Sequence, residues 1–161
     1  MLVSFLSCTI FFIKIIYMRQ QYWINVKHVD NRLVIFLNGE IVWDSGIVHG
    51  DPSMDYFINI TDYLKAHPEQ KSELIFEGFN DSYTENGEDG EFNPWHFNYR
   101  VFKREVNKDG EIVLERDILA PYNEKHLSDP NIKAIENTYQ IVLRDNEYKV
   151  ISNSLSQNFY Q

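Results

Sequence analysis

Between Glu77 and Glu91 the chain carries six carboxylates, Glu77, Asp81, Glu85, Glu88, Asp89 and Glu91, with no Lys or Arg among them. Like charges this close repel at neutral pH by about 1 kcal/mol per close pair in water, and by more when partly buried. A hard cation relieves that repulsion. Calcium takes roughly six to eight oxygen ligands, from carboxylates and carbonyls, in flexible geometry. Gly87 and Gly90 let the backbone curl so that several oxygens converge. The spacing is not that of an EF-hand, which needs acids at alternate positions, a central glycine and a terminal glutamate. A solvated acidic loop and a contact for a basic partner give the same pattern, so three readings stay open.

Directly after this stretch, Trp95, Phe97 and Tyr99 alternate with His96, Asn98 and Arg100. In a strand the aromatic set takes one face and the polar set the other. Aromatic rings stack on the apolar faces of pyranose sugars, and amide, carboxylate, imidazole and guanidinium groups hydrogen-bond the hydroxyls. Asn80, Trp95, His96, Asn98 and Arg100 are therefore candidate carbohydrate contacts, although core packing is the simpler account of the aromatic face. Trp43 with Asp44, beside Asn38-Gly39, is a weaker candidate for the same role. His49 and Asp51, two positions apart in a loop, offer a metal or acid–base pair.

Catalytic frameworks are hard to find. The five histidines show no HExxH spacing, and there is no Gly-x-Ser-x-Gly elbow, P-loop or Gly-x-Gly-x-x-Gly. Cys8 is the single cysteine, which excludes an internal disulfide framework and any zinc site built on cysteines. Whether two carboxylates stand at a glycosidase's separation is a property of the fold, not of the sequence.

Composition sets the outer bounds. At 161 residues the chain has the length of one domain, and 43% hydrophobic with 15% aromatic content excludes a disordered chain. Its 24 acidic against 15 basic residues give a net charge of -9, the wrong sign for a general nucleic-acid binder. Residues 1–17 form an apolar leader that fits three readings. A transmembrane helix would be interrupted by Lys14 and ended by Arg19; a secretory signal would lack basic residues before its apolar run; or translation starts at Met18. The last makes the protein cytoplasmic, the others anchored or exported. Losing Lys14 with the leader moves the charge from -9 to -10.

The remainder, 18–151, reads as one β-sandwich domain, followed by a polar tail at 152–161 that is expected to fray. Period-two alternation marks strands at 22–29 and 95–102, and apolar runs mark others at 33–37, 41–43, 56–60, 73–79, 111–118, 138–143 and 147–151. Asn38-Gly39 between two such runs is a hairpin signal, because both central residues of a type I′ turn need positive φ. Thr61 is expected to cap one helical turn near 61–66, and Pro68 stops it. Residues 120–136, with Pro121 and Pro130, read as irregular. Eight to ten short strands without a long amphipathic helix predict an all-β, antiparallel sandwich or barrel.

The segment Asn38-Gly39, then Phe57-Ile58-Asn59-Ile60-Thr61-Asp62-Tyr63-Leu64-Lys65, then the strand 73–79 resembles the galactose-binding-like jelly-roll modules over roughly residues 33–103. Leu74-Ile75-Phe76, Asn80-Asp81 and Glu88-Asp89-Gly90-Glu91-Phe92 are similar to the calcium loop of bacterial galactophilic soluble lectins. That resemblance implies ligation by Asp81, the Glu85 carbonyl, Glu88 and Asp89. This chain has Glu-Asp where that family has amides, and the family's tyrosine carbonyl ligand and sugar-contacting His and Gln match no position here.

The resulting expectation is a non-catalytic, lectin-like jelly roll that binds carbohydrate, with calcium as cofactor. The alternative is an acidic, immunity-type or adaptor protein that masks a basic protein partner, its charge steering association. An enzyme with a carboxylate-based site stands third. An exposed edge strand could pair two copies into a homo-oligomer, but edges cannot be located without strand order.

Overall fold

A computed structural model describes residues 18–48, 50, 52–68, 71–80, 93–128 and 132–158. Among these, nine strands and one helix follow in order: β1 (Arg19–Asp30), β2 (Arg32–Leu37), β3 (Glu40–Asp44), β4 (Ser53–Asn59), α1 (Thr61–Ala66), β5 (Ser72–Asn80), β6 (Asn93–Val106), β7 (Ile112–Ser128), β8 (Ile132–Arg144) and β9 (Glu147–Asn158). They pair antiparallel into a four-stranded sheet of order β4-β1-β6-β7 and a five-stranded sheet of order β3-β2-β5-β8-β9. The fold class is the expected all-β sandwich. Strands β2–β3, β6–β7 and β8–β9 are hairpins within a sheet, and the other connections cross between sheets.

The turn chemistry is local and direct. Asn38 and Gly39 stand at φ of 53° and 81°, and Asp145 and Asn146 at 53° and 60°. Asn and Asp tolerate this region because their short polar side chains bond locally, and Gly because it has no Cβ.

The core lies between the inward faces. Tyr22, Ile24 and Val26 of β1 and Trp95, Phe97, Tyr99 and Val101 of β6 face Leu33, Ile35, Phe76, Ile135 and Ile141 of the other sheet. Phe76 stacks on Tyr99 with ring centroids 3.8 Å apart. Burial pushes the Tyr99 hydroxyl well above its ordinary pKa, and it accepts a hydrogen bond from Asn137 Nδ2 at 2.8 Å. At one end the Lys103 side chain is only 1% exposed, with Nζ held by Glu105 and by Glu147, the latter at 2.8 Å. Burial would lower that ammonium's pKa, but the two carboxylates outweigh it and raise it.

Several expectations change. Thr61 does not cap α1: its hydroxyl accepts the Tyr22 N–H at 2.8 Å, tying the helix to β1. Asn59 Oδ1 instead takes the Thr61 N–H at 2.9 Å. Residues 120–136 are largely not irregular, because β7 continues through Ser128 and β8 begins at Ile132. Pro121 is tolerated because β7 is an edge strand and one side of its ladder needs no donor. The tail from Ser152 extends β9 to Asn158 instead of fraying, since β8 offers it a partner. Residues 1–17, His49, Asp51 and 81–92 lie outside the described residues. No described helix is long and apolar enough to cross a membrane.

Gly78 sets how closely β5 approaches the other sheet. A Cβ there would lie 2.4 Å from the Phe97 ring and 2.7 Å from Ile135 Cγ1. Gly78→Ala should therefore cost about 1–3 kcal/mol of stability through overpacking. A urea melt should show an earlier midpoint at unchanged slope; a midpoint equal to that of the unaltered protein would show that the two side chains yield freely.

Candidate functional site

Pairing brings the polar side of β6 beside that of β1. Arg100 lies opposite Asn25, and Phe102 opposite Trp23. On one flank β4 sets Phe57 opposite Asn25. On the other, β7 sets Glu115 opposite Arg104 and Asp117 opposite Phe102. Because Ile24, Val26, Tyr99 and Val101 occupy the core side, these residues share the outward face of the four-stranded sheet.

Two arginines organise that face. Glu115 accepts from Arg100 Nη2 at 2.6 Å and from Arg104 Nε at 2.7 Å, and Asp117 accepts from Arg100 Nη1 at 3.4 Å. Both guanidiniums then lie over Phe102, at 4.3 and 4.9 Å from its centroid, which explains a fully buried phenylalanine on an outward face. Arg104 also lies 5.3 Å from the Trp23 ring and 5.2 Å from the Phe57 ring. It braces both aromatics while Phe57 stays 38% exposed.

Polar groups continue along the same face. Asn25 Nδ2 donates to Asp55 Oδ1 at 3.0 Å. Asn25 Oδ1 and Arg100 Nε are buried with no hydrogen-bond partner among the described residues. Further along, the His28 and His96 rings stack at 4.7 Å, and His96 Nε2 lies 2.8 Å from Asn123 Oδ1.

Of the residues singled out in the sequence, His96, Asn98 and Arg100 do come together on this face. Trp95 does not join them. It is fully buried, stacked on Phe97 at 5.2 Å, so its ring is core and has no face open to a ligand. Asn80 is buried at the end of β5, in the opposite sheet. Asp81, Glu85, Glu88, Asp89, His49 and Asp51 lie outside the described residues. Trp43 sits half-buried on edge strand β3 against Tyr56, centroids 5.4 Å apart. Its neighbour Asp44 is engaged by Arg32 at 3.0 and 2.6 Å, which holds its carboxyl below the usual range.

Sequence reading missed Trp23, Asn25, Asp55, Phe57, Arg104 and Glu115. The signal for Trp23 and Asn25 was present in the alternation of 22–29, but joining it to 96–100 requires knowing that β1 and β6 are neighbours.

No protein-family model and no curated protein matches the chain. Among solved structures it is similar to a β-D-glucuronidase from Dictyoglomus thermophilum, at 10% identity and a TM-score of 0.26. That alignment covers 88% of this chain and 33% of the enzyme, so the chain spans about a third of its length. A likeness at that TM-score carries no argument.

Glu115 links this face to stability. Burial alone would raise its carboxyl, but hydrogen bonds from Arg104 and Arg100 outweigh that and hold it below the usual range. A depressed folded pKa stabilises the fold above the unfolded value, near about 4.3, and the gain is lost as pH falls through the folded value. Urea midpoints should therefore drop as pH is lowered from about 5 to about 3. Glu115→Gln should be less stable at neutral pH and lose less on acidification; equal acid limbs would remove Glu115 from the account.

Proposed function

We propose that this chain is a non-catalytic binding module of the galactose-binding-like jelly-roll kind, taking a carbohydrate on the outward face of its four-stranded sheet. One observation carries the reading. Trp23 and Phe57, braced by Arg104, stand beside a row of partly exposed hydrogen-bonding groups from Asp55, Asn98, Arg100 and His96, with Asn25 buried beneath them. Rigid aromatic area supplies stacking at low entropic cost, and convergent polar groups fix orientation. Both guanidiniums on this face are matched by carboxylates, which favours a neutral polyol over a phosphate or sulfate.

The acidic stretch from Glu77 to Glu91, with six carboxylates and no Lys or Arg, favours a hard cation in the same module. Asp81, the Glu85 carbonyl, Glu88 and Asp89 would hold calcium, whose role would be to neutralise the loop and fix its path into β6.

A glycan array read with and without millimolar calcium tests the sugar. A binder is expected, and Trp23→Ala and Phe57→Ala should each weaken it about tenfold by calorimetry. An array without binders in either condition overturns the reading in favour of the acidic-partner alternative. Calcium should also raise the melting temperature of the unaltered protein and not of Asp89→Asn; no rise in either removes the metal.

A further inference from the structure

We infer that the ligand is an oligosaccharide chain that crosses the edge strand β4, passing from the outward face to the rim of the sandwich, and not a single terminal sugar. This rests on the carbohydrate reading above and specifies its ligand.

Tyr56 and Phe57 are consecutive, so the pleat of β4 sends their rings to opposite sides of the sheet. Register agrees: Phe57 pairs with outward Asn25, and Tyr56 with inward Val26. Neither ring is absorbed by the core. Tyr56 is 51% exposed and Phe57 38%.

Both rings are nonetheless held in place. Phe57 meets Phe102 edge-on at 6.2 Å and 85°, with Arg104 at 5.2 Å. Tyr56 leans on Trp43 at 5.4 Å and 36°, and Trp43 belongs to β3, the edge strand of the other sheet. Two braced, open aromatic surfaces thus lie one strand's thickness apart. Because β4 ends its sheet, no strand among the described residues blocks the path between them.

The groups along that path suit hydroxyls. Asp55, Ser53 and Asn59 are exposed on β4, and an edge strand leaves alternate backbone N–H and C=O groups facing outward. A second copy adding its own strand is the rival occupant. It is disfavoured by Pro52 directly before β4 and by the charge of Asp55 within it, features that blunt edge pairing.

The test is calorimetry with cello-, xylo- and galacto-oligosaccharides from disaccharide to hexasaccharide. For the series that binds, affinity should rise about tenfold with length. Tyr56→Ala should remove that rise and leave disaccharide affinity unchanged, Tyr56→Phe should keep the rise, and Phe57→Ala should weaken every length. In the unaltered protein the hexasaccharide, and not the disaccharide, should shift the Trp43 indole N–H resonance.

A disaccharide that binds as tightly as the hexasaccharide, with Trp43 unmoved, overturns the crossing path while the carbohydrate reading stands. No binding at any length overturns both. A dimer by light scattering that Tyr56→Ala dissolves assigns the edge to a second copy and also overturns the path.

Discussion

The 14 residues of β6 run between β1 and β7, and the pleat gives each side chain a fixed face. Trp95, Phe97, Tyr99 and Val101 go inward and make the centre of the core; His96, Asn98, Arg100, Phe102 and Arg104 go outward and make the candidate site. A one-residue slip would exchange the two sets, burying two guanidiniums and exposing the aromatic core. Core and site are therefore a single constraint. The inward set is what holds the outward set in register, so rigidity of the face comes from packing behind it.

Phe102 is where that constraint is most demanding. It faces outward yet is fully buried, because Arg100 and Arg104 are drawn over it and pinned there by Glu115. A partly buried carboxylate with two arginine partners is a more ordered arrangement than the usual exposed ion pair. Its consequence is geometric: Arg104 fills the space between Trp23 and Phe57 and leaves them no freedom to collapse on each other. The inward face at the same end of β6 uses the same device, where Glu105 and Glu147 satisfy buried Lys103.

Charge balance on this face differs from that of the whole chain. The net charge is -9, but on the outward face the two arginines are matched by Glu115 and Asp117. The surplus of acid lies elsewhere, including the stretch from Glu77 to Glu91. Long-range steering by the global charge and short-range recognition at the face are therefore separate properties.

Strand existence, the Asn38-Gly39 and Asp145-Asn146 turns, the helical turn after Asn59 and the all-β class were legible in the sequence, because each depends on residues within a few positions of one another. So was the division of 95–100 into an aromatic and a polar face. Which face was core was not decided by alternation alone, and Trp95 went inward because the second sheet supplies Phe76, Ile135 and their neighbours on that side. The extent of β7, β8 and β9 was also hidden, since Pro121 and the polar tail read as breakers until a partner strand is present. The joining of Trp23, Phe57 and Arg104 into one surface was decided only in three dimensions. Those residues are separated by crossings between sheets, and no local period records which strands end up side by side.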